Sequence, residues 1–206
     1  LGTLPTGTYT WTMPDTLPAR ASSLAVISRA LPTNYLSGTY RGPRANEKDA
    51  AALRVTAAVL SGQMFSEIRS KNNLTYTAAA PYSDRALVSG SLYVTTTLPD
   101  SALKIMRDQV RLLQEITIPT QALAPLIQQF LTEYFLDNET STAQADFLAR
   151  SQLYKGDWHA AERFIADLRA VTGEDVRRVS RRYLRDVQWV YIGDPARITR
   201  RIAESF

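Results

Sequence analysis

A change of period near residue 98 limits the fold of this chain more than any other feature. Before it, apolar residues come in short β-prone runs, and residues 85–97 form the clearest strand. After it, Leu103, Met106, Val110 and Leu113 step by three and four, and so do Leu123, Ile127, Phe130 and Tyr134. Upstream, residues 23–29 and 34–41 read as strands, with Gly42-Pro43 stopping the second. Asn46 then caps a helix over 50–60, Ser61-Gly62 breaks it, and a short second helix runs from 63 to about 70. Asn72-Asn73 turns the chain into a strand over 74–82, because Asn tolerates the left-handed conformation. Further helices are expected over 142–154, 158–169 and 173–184, the last capped by Thr172 with Asp175 three residues on. A strand over 187–192 closes the series. Two strands, two helices, two strands, several helices and a last strand describe an α+β two-layer sandwich. Its largely antiparallel sheet is covered by helices on one face. Residues 1–20 carry Pro5, Pro14 and Pro18 among Thr and Gly and read as a linker or extended arm, leaving 21–206 as the domain.

Two absences restrict the chemistry. With no Cys, there is no thiol nucleophile, Cys-ligated zinc or iron–sulfur site, and neither cytoplasm nor periplasm is favoured. With one His, a complete catalytic zinc site is improbable, since such sites draw two or three imidazoles from one chain. No apolar run approaches the roughly 20 residues that cross a bilayer. No Gly-rich phosphate loop is present.

The net charge of +4 is concentrated between residues 150 and 185, with nine basic residues against five acidic ones. Arg177, Arg178, Arg181, Arg182 and Arg185 fall along one broad helical stripe. That stripe is either a solvated helix face or a dock for an acidic partner. Without interleaved aromatics, nucleic acid is not the expected ligand.

Two constellations could carry chemistry. His159-Ala160-Ala161-Glu162-Arg163 is one residue away from the inverted zinc motif H-x-x-E-H. The second ligand position is a guanidinium, which cannot give up its proton to bind metal, so a His–Glu contact on a polar helix face is expected instead. The other is the segment 61–76, which places Arg69 near a helix end and Tyr76 at the start of the next strand, seven residues on. An arginine fork and a neutral phenol on one side would offer several donors to a carbonyl or an oxyanion. Alternatively, Arg69 caps the helix dipole and Tyr76 is a core aromatic.

Leu60, Met64, Ile68, Arg69, Leu74 and Tyr76 fit the pattern L-x-x-x-[LMF]-x-x-x-[LI]-R-x-x-x-G-L-x-Y, with Asn73 at the glycine position. In this the chain resembles the pitrilysin/insulinase family of zinc peptidases, which includes the mitochondrial processing peptidase and many bacterial zinc proteases. The likeness extends from Ala21 to Asp194 through Gly42-Pro43, Asp49, Gly90, Thr97 to Pro99, Val171 to Val176 and Gly193-Asp194. It implies the processing-peptidase and LuxS-like metallohydrolase fold, and a bacterial C-terminal, non-catalytic domain. Arg69 and Tyr76 would reach across a clamshell to hold a peptide or stabilise its tetrahedral intermediate. No metal is expected in this chain. Zinc and its glutamate base would belong to an N-terminal catalytic domain or a separate catalytic subunit. The zinc helix of such relatives corresponds to residues 50–60, which hold neither His nor Glu. Some members keep the fold as structural or assembly subunits without proteolysis, which is the alternative reading.

Overall fold

In the computed structural model, residues 7, 8, 10 and 20–206 are described. The proposed arm over 1–20 therefore lies almost wholly outside the described residues. The strands are β1 (Ser23–Ser28), β2 (Asn34–Arg44), β3 (Thr75–Ala79), β4 (Tyr82–Ser83), β5 (Leu87–Thr96) and β6 (Gln188–Gly193). They form one six-stranded sheet in the order β1-β6-β2-β5-β3, with β4 also paired to β5. All pairings are antiparallel except β1 with β6, which is parallel.

Alternation along β2 and β5 decides which face is covered. Leu36, Tyr40, Val88, Leu92 and Val94 point into the core, while Tyr35, Thr39 and Arg41 on the other face are exposed. Two cross-strand pairs show how large rings fit within the sheet. Gly38 stands opposite Trp189 and Gly90 opposite Tyr40, and a Cβ at either glycine would lie 2.6 Å or 2.1 Å from the facing ring or its hydroxyl.

Helices α1 (Asp49–Met64), α2 (Pro99–Glu115) and α6 (Gly173–Tyr183) lie on the buried face and pack on one another. Outside them, α3 (Ala124–Asp137) and α5 (Ala160–Arg169) pack on α1, and α4 (Ser141–Lys155) packs on α5. A short α7 (Arg200–Ala203) contacts α2 and β1.

Several boundaries differ from expectation. The helix starting at Asp49 has Lys48, not Asn46, at its N-cap, and it runs straight through Gly62. A mid-helix glycine costs only about 1 kcal/mol. Burial of Leu60, Met64 and Ile68 on one stripe outweighs that cost. The expected strand over 74–82 is divided into β3 and β4, with Pro81 between them. At Gly42-Pro43 the ladder to β5 is interrupted and resumes at Arg44 opposite Leu87, so the proline withdraws no donor from a paired position. Thr172 and Asp175 form the expected capping box at the start of α6.

Candidate functional site

Where α1 ends, the chain continues as a π-helical segment, Phe65–Lys71. Ile68 anchors it in the core. The wider turn changes which side chains leave the surface, and such turns recur at functional sites. The segment closes with the Leu74 N–H donating to the Ile68 carbonyl at 2.9 Å and the Asn73 N–H to the Arg69 carbonyl at 3.1 Å. Asn73 has φ of 50°, the left-handed backbone expected at the glycine position of the motif.

Tyr76 lies in β3, and the register explains its position. Thr75 faces Thr96 and Thr77 faces Thr95, so Tyr76 is the extra residue of a β-bulge. The Thr75 hydroxyl ties this bulge, accepting from the Thr77 N–H at 2.9 Å and lying beside the Thr95 carbonyl. The bulge pushes the phenol outward, and Tyr76 is 79% exposed. It is therefore not a core aromatic.

The Arg69 guanidinium carbon sits 4.6 Å from the Tyr76 ring centroid and 4.9 Å from that of Phe65. Thus the predicted pair meets, and Arg69, a cation in the last turn of the segment, stacks on both rings. Phe65 is the residue that sequence reasoning missed. Its signal was the i, i+4 spacing to Arg69, which places both on one helical face. Glu67, the nearest acid in the segment, is taken by Lys71 at 2.6 Å. Among the described residues no carboxylate pairs with Arg69, so its N–H edge remains available.

The other candidates resolve differently. His159 is exposed, stacks on Trp158 with centroids 3.6 Å apart, and shares a 3.0 Å contact with Glu162. Arg163 is held by Asp157 at 2.6 Å, and that contact keeps the Asp157 carboxyl below its usual range. Among the described residues, no group of three or more His, Asp or Glu could hold a metal ion.

Four of the five stripe arginines pair with acids. Arg177 meets Glu174 at 2.7 Å, Arg178 meets Asp49 at 2.6 Å and Asp175 at 3.0 Å, Arg182 meets Asp49 at 3.1 Å, and Arg185 meets Asp186 at 3.2 Å. The fifth, Arg181, donates to the Gln114 carbonyl. Asp49 also accepts from the Tyr183 hydroxyl at 2.9 Å. Burial alone would raise the Asp49 pKa. Hydrogen bonds from Arg178 and Tyr183, with the charges of Arg178 and Arg182, outweigh that and hold it below the ordinary value.

The sequence model of the peptidase M16 inactive domain matches residues 3–130, more than half of the chain. The chain belongs to that family. No curated protein matches the sequence. Solved structures that share the fold include the following three. A protease from Helicobacter pylori is 16% identical with a TM-score of 0.76, over 90% of this chain and 48% of that one. The peptidase M16 inactive domain from Pseudomonas fluorescens is 17% identical with a TM-score of 0.75, over 89% and 46%. A chain of Complex III2 from Candida albicans is 16% identical with a TM-score of 0.75, over 89% and 49%. The chain thus spans about half the length of each of these three structures. It is matched as the inactive domain of that peptidase family. Helix α1, where the catalytic domains of the family are expected to carry their zinc ligands, holds no His or Glu, so the residues here do not fit the metal. Among the described residues no helix is long and apolar enough to cross a membrane.

Proposed function

We propose that this domain is the substrate-handling half of a zinc metallopeptidase and forms a clamshell with a domain or subunit bearing H-x-x-E-H, where the zinc is expected. One observation carries this reading. The Arg69 guanidinium lies over the Phe65 and Tyr76 rings at a bulged sheet edge, with no carboxylate partner among the described residues. An arginine that stabilised the fold would be expected to have its fork filled. This one instead presents planar N–H donors, beside a phenol, to whatever approaches the edge. A peptide carbonyl, or the oxyanion formed from it, fits those donors, and closure of the two halves would exclude water and strengthen the contact.

The test is peptide cleavage by the assembled two-half enzyme. Removing one oxyanion donor typically costs about a hundredfold or more in turnover. Arg69→Ala is expected to lose about that much and Tyr76→Phe less, with the unfolding midpoint unchanged for both. Unaltered cleavage by both variants would overturn the assignment. The alternative, an assembly subunit without proteolysis, draws on the fold likeness to a chain of Complex III2. Under that reading, both variants would be silent in any peptide assay.

A further inference from the structure

One aromatic ring from each of the outer helices α3, α4 and α5 lines a cavity of about 290 Å³. Tyr134, Phe147 and Phe164 stand 5.5 to 5.6 Å apart, centroid to centroid, and all three are half-buried. Rings that served only to fasten three helices would hide their surface against one another. These leave part of it to a concavity at the small end of the ligand range of about 300 to 1,000 Å³. The cavity meets α1 at Arg54, fifteen positions before Arg69 and so roughly 20 Å from it along the helix.

Charge decides which ligand such rings suit. Four acids and three bases line the cavity, and most cancel one another. Arg54 meets Asp84 at 2.5 Å and Arg150 meets Asp146 at 2.7 Å. Glu133, Asp137 and Lys155 remain. Glu133 accepts from the neutral Gln129 amide at 2.8 Å, and neither Asp137 nor Lys155 has a hydrogen-bond or ion-pair partner among the described residues. Two carboxylates therefore face one cation. Asp137 follows Tyr134 by three positions, which puts both on the same side of α3. One wall of the cavity already shows the arrangement filled. There the Arg54 guanidinium carbon lies 5.3 Å from the Phe164 centroid, with Asp84 as its counter-charge. Tyr134 and Phe147 have no cation over them among the described residues.

We infer that this cavity binds an organic cation, an ammonium or guanidinium head on a short alkyl chain, with Tyr134 and Phe147 as its walls and Asp137 as its counter-charge. A free amine and the basic side chain of a partner protein both carry such a head. The inference does not depend on the role of Arg69 and Tyr76.

The experiment uses the 206-residue chain with 13C-labelled phenylalanine, following the Phe147 ring signal, identified by its loss in Phe147→Leu. Pentylamine, acetyl-lysine methylamide and the uncharged acetyl-norleucine methylamide are titrated to tens of millimolar. The two cations are expected to bind about fivefold more tightly than the norleucine derivative, the combined size of an exposed cation–ring and charge contact. Tighter binding of pentylamine identifies a free amine as the ligand, and tighter binding of the lysine derivative identifies a side chain. Equal binding supports the cation with either carrier. Tyr134→Leu is expected to abolish the preference and Tyr134→Phe to keep it. Asp137→Asn should weaken both cations about threefold, and Lys155→Gln should tighten them about twofold by removing a like charge. Asp137 is exposed and Lys155 half-buried, so these two arms hold even where Tyr134→Leu loosens the helices. If the norleucine derivative binds as tightly as the cations, or Lys155→Gln weakens them, the cation assignment is overturned. Retention of the preference in Tyr134→Leu overturns the ring contact. If no probe moves the Phe147 signal, the site itself is overturned.

Discussion

The arginines of α6 and the lone Arg69 differ in what they have to bind. On α6, Arg177, Arg178 and Arg182 are paired with acids and Arg181 donates to a backbone carbonyl, while Arg185, past the end of the helix, pairs with Asp186. Two of them converge on Asp49, whose side chain is 9% exposed, and so fasten the start of α1 to α6. Arg69 has rings beside it and no acid among the described residues. The densest charge in the sequence thus marks a structural clasp. The candidate site is an isolated cation whose local partners have been diverted, Glu67 having gone to Lys71. What sets Arg69 apart is the pair of rings stacked on it, which the matched arginines of the stripe lack.

The contrast is sharpest in stability. Asp49→Ala removes the acceptor shared by Arg178, Arg182 and Tyr183 and is expected to lower unfolding free energy by about 2 to 3 kcal/mol. That loss is limited because the freed arginines are partly exposed and can rehydrate. Arg69→Ala should stay within about 0.5 kcal/mol of the parent in the same urea titration. An equal loss in both would break the comparison.

Acid unfolding gives the next largest difference. The Asp49 pKa is lowered in the folded state, so its contribution is fully present above the unfolded value of about 3.9 and is lost as pH falls through the lower folded value. Asp49→Asn should flatten that acid limb and Arg69→Ala should not. Arg178→Gln is expected to cost about 1 kcal/mol and Arg182→Gln less, since Arg182 is more exposed and makes the longer contact. The smallest expected effect is that of His159→Ala, which should leave both zinc content and turnover of the assembled enzyme unchanged.

Much of the fold was legible because its signals are local. The β5 alternation, the Thr172 and Asp175 capping box and the left-handed Asn73 each follow from a few adjacent residues. The misread points depended on distant partners. Gly62 signals a helix end, yet the buried stripe through Leu60, Met64 and Ile68 carries the helix past it. The parallel pairing of β1 with β6 joins residues more than 160 positions apart, and nothing in either strand announces it. Of the site, Arg69 and Tyr76 could be named, with their role supplied by family resemblance. Phe65 was overlooked because an exposed aromatic four residues before an arginine is an ordinary helix-surface pair until the geometry shows both rings engaging one cation. The bulge at Tyr76 was equally hidden, because it exists only relative to the strand it pairs with.

A π turn takes one residue more than an α-turn, and a bulge one more than its partner strand. Arg69 lies within such a π segment, and Tyr76 is the extra residue of the bulge. Their encounter is therefore encoded in spacing as much as in identity. Deleting a single position within 65–71 would rotate the guanidinium about 100° around the helix axis. Deleting one at the bulge would turn the following side chains to the opposite face. Either change would dismantle the pair while conserving both of its residues. Substitution tables would miss that kind of lesion, and an alignment gap would reveal it.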